Sequence, residues 1–158
     1  GTKMKIGIVS DTHGQADKLL KLVQEHPEID YWLHAGDGAS DCEVVRQKTK
    51  AEIFTVAGNC DGFQVAKTEE WLSFDKVLIW LVHGHRENVK LGLRELEWTA
   101  RQAGAKAVVF GHTHTSLAEE RDGLWLLNPG SLAECSDSCL VLEILDGAIL
   151  DVKRAITT

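Results

Sequence analysis

Five short stretches of this 158-residue chain place ligand-type side chains directly after an apolar run. Asp11 and His13 follow Lys5 to Ser10 (KIGIVS). Asp37, between Gly36 and Gly38, follows Ile29 to Ala35 (IDYWLHA). Asn59 follows Ala51 to Ala57 and Gly58. His83 follows Val77 to Val82. His112 and His114 follow Ala105 to Phe110, a run broken only by Lys106 and ended by Gly111. Gly111 lets the backbone turn there, and in an extended backbone His112 and His114 would point the same way. Each stretch also has a plain reading: Asp11 can cap a turn, and Gly-rich Asp and Asn segments form turns whatever their function. Repetition of one pattern at five sites favours chemistry.

The chemistry is that of divalent metals. Imidazoles, carboxylates and an amide, with no convincing cysteine among them, suit Mn, Fe, Ni, Co or Zn better than Mg or Ca. Seven donors exceed the needs of one four-coordinate ion. They suit two ions sharing a bridging carboxylate. Two cations about 3.5–4 Å apart clamp the attacking and leaving oxygens of an in-line displacement. They also lower the pKa of a bound water from about 15.7 toward about 7, which supplies a hydroxide nucleophile near neutral pH. Phosphate esters are the natural substrates, because the ions neutralise their non-bridging oxygens.

The elements that must position these residues are legible in the hydrophobic pattern. The five apolar runs read as buried strands. Between them, Ala16 to Gln24 reads as a helix through Leu19, Leu20, Leu22 and Val23, with Pro27 beyond its end. Asp41 to Lys48 is a short helix with Val44 and Val45 inward. Val89 to Ala103 is the longest helical pattern, through Leu91, Leu93, Leu96, Trp98 and Ala100, with Gly104 as its cap. Trp71 to Phe74 and Val77 to Val82 form a hairpin turned at Asp75-Lys76, and 63–70 fits no single pattern. The last third is hairpins: Ser116 to Arg121, Leu124 to Leu127, Cys139 to Leu145 and Ala148 to Ala155. Asp122-Gly123 and Asp146-Gly147 are two-residue hairpin turns, and Asn128-Pro129-Gly130-Ser131 is a further turn. Alternating strands and helices followed by hairpins give an α/β (mixed α+β) fold, a two-sheet β-sandwich flanked by helices. In sheets of this kind ligands gather beyond the carboxyl ends of the strands, where all seven donors fall. The five tryptophans read mostly as core, with Trp71 or Trp125 reserved for an edge. His34, inside a strand, reads as a core histidine or a support for a ligand rather than as a ligand itself.

Composition narrows the function. A net charge of -7 argues against a general nucleic-acid grip. It is compatible with a small phosphorylated substrate, since bound cations supply positive charge locally. No apolar stretch is long enough for a membrane span, and no signal-peptide pattern is present. The four cysteines form no CxxC pair, so free thiols and a cytoplasmic location are expected, with a Cys135–Cys139 bridge the weaker alternative. The length suits one domain, 4–158, with Gly1-Thr2-Lys3 read as an expression remnant.

Taken together, DxH (Asp11, His13), GD (Gly36, Asp37), GN (Gly58, Asn59), a lone His83 and GHxH (Gly111, His112, His114) resemble the calcineurin-like metallophosphoesterase superfamily. The likeness runs from Met4 through essentially the whole chain. Ser10-Asp11-Thr12-His13-Gly14, Gly58-Asn59-Cys60-Asp61, His83-Gly84-His85 and Asn128-Pro129-Gly130-Ser131 make it most similar to small bacterial and archaeal phosphodiesterases. The resemblance implies that Asp11, His13 and His114 hold a first metal. It implies that Asn59, His83 and His112 hold a second, and that Asp37 bridges them. It implies two divalent transition-metal ions, manganese foremost, and hydrolysis of a phosphodiester or a monoester. A homo-oligomer is also implied. Two departures stand out. Cys60 occupies the place after GN where many members have a histidine, which leaves His85 as the candidate to protonate the leaving group. Asp41 lies one residue beyond the usual GDxxD spacing and reads only as a helix cap. The alternative is a non-catalytic scaffold similar to a retromer subunit of the same superfamily. Loops 59–70 and 131–138 are expected to shape the substrate pocket.

Overall fold

Along β1 (Met4–Val9), Ile6 and Ile8 face one side of a sheet while Val9 faces the other, and both sides are buried. A strand covered on both faces needs an unbroken apolar run, which is what Ile6 to Val9 (IGIV) supplies. The computed structural model describes residues 3–61, 67–84, 92–135 and 138–154. After β1 come α1 (Ala16–Glu25), β2 (Tyr31–His34), α2 (Ala39–Lys48) and β3 (Ile53–Thr55). Then follow β4 (Glu69–Phe74), β5 (Val77–Val82), α3 (Arg94–Ala103) and β6 (Ala107–Val109). The chain ends in β7 (Leu117–Arg121), β8 (Leu124–Asn128), β9 (Leu140–Leu145) and β10 (Ala148–Arg154).

The strands form two five-stranded sheets, ordered β10-β9-β1-β2-β3 and β4-β5-β6-β8-β7. In each, three adjacent strands run parallel, β1-β2-β3 in the first and β5-β6-β8 in the second, and the remaining strands pair antiparallel. Ile6, Ile8 and Leu33 of one sheet pack with Ile79, Leu81 and Val109 of the other. On the outer faces, α1 and α2 bury Leu19, Leu22 and Val45 near Val9 and Trp32. Helix α3 buries Leu96 and Ala100 with Trp80 and Val108. The structure is therefore the two-sheet sandwich with flanking helices that the pattern implied. Among the described residues, no helix is long and apolar enough to cross a membrane.

The hairpin chemistry holds in detail. Asp122 and Gly123 take φ of 47° and 83°, and Asp146 and Gly147 take 50° and 80°. Two successive left-handed residues give the turn whose twist matches that of the strands. Asp75 and Lys76 do the same without glycine, at φ 48° and 71°.

Several boundaries differ from the sequence reading. Helix α3 begins at Arg94, because Gly92 at φ 146° lies outside helical space. Gly104 caps its end in the left-handed conformation, as expected. Helix α2 starts two residues early, at Ala39, and β4 takes Glu69 and Glu70 from the ambiguous stretch. Trp98 is not core: it is 64% exposed on the outer side of α3. Trp71 is 38% exposed on edge strand β4, where its ring stacks on Trp80 at 4.9 Å. All four cysteines are free, Cys42 and Cys139 buried and Cys60 and Cys135 exposed. Burial pushes the Cys42 and Cys139 thiols up to about 12. The readings made on Gly1, Thr2, 62–66, 85–91, 136–137 and 155–158 fall outside the described residues.

Gly7 shows how tightly the helix-covered face is packed. A Cβ at this position would lie 2.5 Å from the Trp32 ring. Trp32 is itself buried between the sheet and the helices. Gly7→Ala is expected to destabilise the protein by about 1–3 kcal/mol through overpacking. Urea denaturation checks this, and an unchanged midpoint would contradict the packing account.

Candidate metal centre

The two sheets contribute complementary sets of residues to one edge of the sandwich. Loops after β1, β2 and β3 carry Asp11, His13, Asp37 and Asn59, and those after β5 and β6 carry His83, His112 and His114. Asp11, His13, Asp37, His112 and His114 all take left-handed φ, between 44° and 68°. Such conformations are uncommon for non-glycine residues and concentrate at functional sites. Neighbouring loops hold them: Asp11 N–H donates to Gly36 O, His13 N–H to Asp37 O and Gly111 N–H to His83 O. Gly111 is required for close approach rather than for a turn. A side chain there would run into Ser10 Oγ and Asp11 Oδ2.

His112 and His114 do not converge on one spot. The left-handed kinks at both residues break the simple alternation of a strand. His114 joins Asp11 and His13, whereas His112 joins Asp37 and His83, with ligand-type atoms within 4.8 Å of one another in each group. In the outer group, His114 Nε2 lies 3.3 Å from Asp11 Oδ1 and 3.3 Å from His13 Nε2. In the inner group, His83 Nε2 lies 3.1 Å from Asp37 Oδ2 and 3.0 Å from Asn59 Oδ1. Asp37 Oδ2 is also 3.9 Å from His13 Nε2, so this carboxylate stands between the groups. A third grouping places the Cys60 thiol within 4.8 Å of His13 and Asp37 ligand atoms. His85 lies outside the described residues, so its side chain is not placed.

Each carboxylate is anchored by one oxygen and offers the other. Asp11 Oδ2 accepts from Ser10 Oγ at 2.5 Å and from His112 N–H at 3.2 Å. Asp37 Oδ1 accepts from Cys60 N–H at 2.7 Å. Asp11 Oδ1, by contrast, is buried with no hydrogen-bond partner. The imidazoles are similarly fixed. A carbonyl can only accept, so the His83 Nδ1 contact to Ala35 O at 2.7 Å puts the proton on Nδ1. That leaves Nε2 facing Asp37 and Asn59. An orphaned buried oxygen beside ring nitrogens, and a third nitrogen beside two more oxygens, form a donor set fitted to divalent cations.

Without a cation, protons fill part of that role. Burial raises the Asp11 carboxyl above its usual range, against the hydrogen bond from Ser10 and the charges of His83 and His114. Burial also acts to raise Asp37, but hydrogen bonds from His83 and the Cys60 N–H outweigh it and hold the carboxyl well below its usual range. His83 is raised because Asp37 and Asp11 overcome the effect of its burial. Cation binding at such ligands releases protons, so it weakens as pH falls. The Cys60 thiol is pushed up by desolvation and by Asp37, which keeps it from acting as a ready thiolate.

Behind the ligands lies a second layer that sequence reasoning resolved only in part. His34 is fully buried and is not placed with the ligands. Gly36 N–H donates to its Nδ1 at 3.1 Å, so Nε2–H donates to Thr12 Oγ1 at 3.1 Å. Thr12 Oγ1 then donates to Asp41 Oδ2 at 2.5 Å, which also accepts from Gly14 N–H. Asp41 therefore holds the loop of Asp11 and His13 rather than merely capping α2. In the sequence Asp61 belongs to the Gly58-Asn59-Cys60-Asp61 stretch, with no role of its own assigned to it. Its carboxylate accepts from the N–H groups of Asp37, Gly38, Ala39 and Gly58 at 2.8–3.1 Å. It thus ties two ligand loops together at the start of α2, where a negative charge is favoured. Its position two residues after Asn59 was the available signal. The Asn128-Pro129-Gly130-Ser131 turn is a clamp as well. Asn128 Nδ2 donates to Gly111 O and Thr113 Oγ1, and Ser131 Oγ donates to Asp11 O.

Residues 4–147 match the model of the calcineurin-like phosphoesterase superfamily domain. The chain belongs to that superfamily. It is 33% identical over 130 residues to the probable metallophosphoesterase YsnB of Bacillus subtilis, covering 82% of this chain and 75% of the relative. It is 28% identical over 161 residues to the phosphodiesterase MJ0936 of Methanocaldococcus jannaschii, covering 90% and 93%. Among solved structures, a Streptococcus pneumoniae protein described as a predicted phosphoesterase superposes with a TM-score of 0.80 at 23% identity, covering 92% and 86%. Vacuolar protein sorting 29 of Cryptosporidium parvum superposes at 0.74 with 18% identity, covering 96% of both chains. These two likenesses show the shared fold.

Burial lowers the His34 pKa from 6.5 to about 4, against the opposing charge of Asp61. The unfolded chain therefore binds a proton that the folded protein refuses between these values. Stability from neutral His34 is complete above about 6.5 and falls by a few kcal/mol as pH drops toward 4. In metal-free protein, urea stability should fall less over this range in His34→Gln than in the wild type. Parallel pH profiles would contradict the assignment.

Proposed function

We propose that the protein hydrolyses phosphodiesters at a centre holding two divalent transition-metal ions, manganese foremost. The observation that carries this reading is the division of the seven residues into two clusters about Asp37, with ligand atoms turned toward one another. Asp11, His13 and His114 would hold one ion; Asn59, His83 and His112 would hold the other; Asp37 would serve both. When bound, the ions would neutralise phosphate oxygens and lower the pKa of a water for in-line attack. The chain's own contribution is orientation. Ser10 and the His112 N–H aim Asp11, the Cys60 N–H aims Asp37, and Ala35 O turns His83 Nε2 inward. His85 is assigned the leaving-group proton on its place in the sequence, two residues beyond His83. The name of the Methanocaldococcus relative supports a diester over a monoester as substrate.

The fold shared with vacuolar protein sorting 29 favours a second reading, a protein-binding scaffold. The two converging groups of ligand-type residues about Asp37 support hydrolysis over the scaffold reading. The deciding experiment is turnover of a bis-aryl phosphodiester and the matching monoester by chelator-stripped protein, with and without Mn²⁺. Diester turnover restored by Mn²⁺ is expected. Silence of folded protein with Mn²⁺, Ni²⁺ and Zn²⁺ would favour the scaffold.

Asp37→Ala is expected to lower turnover by more than about 100-fold, beyond the range typical of outer supporting residues. It should cost more than any other single ligand change, because it touches both ion positions. A fully active Asp37→Ala protein would sink the two-ion reading. Cys60→Ala should change turnover little, since the backbone N–H that anchors Asp37 is kept by any residue but proline. A large loss in the same assay would give the thiol a direct role.

A further inference from the structure

The two clusters orient their histidines with different partners. In the inner cluster, the buried His83 ring donates Nδ1–H to a neutral backbone carbonyl. In the outer cluster, the His114 side chain is 31% exposed and its Nδ1 lies 2.8 Å from Glu134 Oε1. We propose that Glu134 is a positioning residue that keeps the outer cluster open to a cation by dictating the tautomer of His114. This rests on the two-ion reading above.

As a neutral ring, His114 has two competing arrangements. With the proton on Nδ1, the ring donates to Glu134, and the Nε2 lone pair faces Asp11 Oδ1 and His13 Nε2, each at 3.3 Å. With the proton on Nε2, the ring can donate to Asp11 Oδ1 instead. That would satisfy Asp11 Oδ1, the buried carboxylate oxygen that lacks a hydrogen-bond partner among the described residues. It would also block the position a cation needs. Left alone, Asp11 favours this closed arrangement, because an unpaired buried acceptor is costly. Glu134 opposes it. In the closed tautomer a bare Nδ1 lone pair would face a carboxylate at hydrogen-bond distance. A carboxylate partner also makes the opposite ring nitrogen a better ligand.

Glu134 is in register for this task because its loop is bound to the backbone it serves. Ser131 Oγ donates to Asp11 O at 2.8 Å, Leu132 N–H to Ser10 O at 3.0 Å and Ala133 N–H to Asp11 O at 3.2 Å. Lys18 of α1 donates to Ala133 O at 2.7 Å. The loop therefore moves with Asp11, and Glu134 with it. The Glu134 side chain is 62% exposed, so its replacement leaves the core packing intact.

The test titrates chelator-stripped full-length protein with Mn²⁺ by calorimetry and reads the ring-nitrogen tautomers of the metal-free protein by ¹⁵N NMR. The wild type is expected to bind two ions and to hold His114 as the Nδ1–H tautomer. Glu134→Ala should move His114 toward Nε2–H and weaken one ion by about 10-fold or more, leaving the other unchanged. Glu134→Gln keeps an acceptor oxygen without the charge and should fall between. An unchanged tautomer in Glu134→Ala, or equal weakening of both ions, would overturn the proposal. A wild type that binds fewer than two ions would instead overturn the two-ion reading, while the tautomer comparison would still decide what Glu134 does to His114.

Discussion

The constraint on which this structure depends is the holding of several hydrogen-bond acceptors face to face. Asp11 and Asp37 are buried carboxylates within reach of the same imidazoles. Nothing in an apolar core would bring them together. Each is kept in place by giving one oxygen to local donors and the other to the centre. The pKa pattern follows from that crowding, with Asp11 raised, Asp37 depressed and His83 raised. One proton-poor and one proton-seeking carboxyl beside a proton-seeking imidazole make a site whose charge a divalent cation can settle.

Holding such a site takes two sheets. One supplies the carboxylates, and the other supplies three of the four clustered imidazoles. The crossing contact is direct: His112 N–H from the second sheet donates to Asp11 Oδ2 of the first. The left-handed backbone at five of the seven positions costs of order 1–2 kcal/mol each, which packing elsewhere must offset. The interdigitated core of isoleucine, leucine and valine side chains, and the two helix-covered outer faces, provide that packing. The tight fit of Gly111 against Ser10 and Asp11 shows how close the sheets come at this edge.

The supporting residues divide the work by chemistry. His34 is kept neutral so that it can accept from Gly36 and donate to Thr12 at once. Asp41 and Asp61 gather backbone N–H groups from the ligand loops. A helix start, the turns at Asp61 and at Asn128 to Ser131, and a buried histidine thus serve one purpose, which is to make the ligand loops rigid before any ion arrives. Preorganisation of this kind keeps the cost of assembly out of the binding step.

Much of this was legible in one dimension because its physics is local. Apolar runs of six or seven residues ending in a ligand-type side chain, three of them through a glycine, mark buried strands and their exits. Asp-Gly pairs mark turns whose left-handed φ those residues tolerate. The sandwich and the seven candidate ligands could therefore be read directly, and family likeness divided those ligands between two ions. Other features depend on residues far apart in sequence. Trp98 follows a helical pattern, yet only the placement of α3 shows that it faces outward. The apparent pairing of His112 and His114 fails because both kink, a consequence of contacts made by Asp11 and Asn128. Asp61 looks like a turn residue until α2 arrives above it, and Asp41 looks like a cap until Thr12 and Gly14 reach it. Glu134 carries no sequence signal at all. It meets His114 only because Ser131, Leu132 and Ala133 are bound to the backbone at Ser10 and Asp11, more than a hundred residues earlier. Strand, turn and ligand type are set by neighbours along the chain. Which ligand each one serves, and what holds it there, is set by hydrogen bonds that exist only once the two sheets have closed.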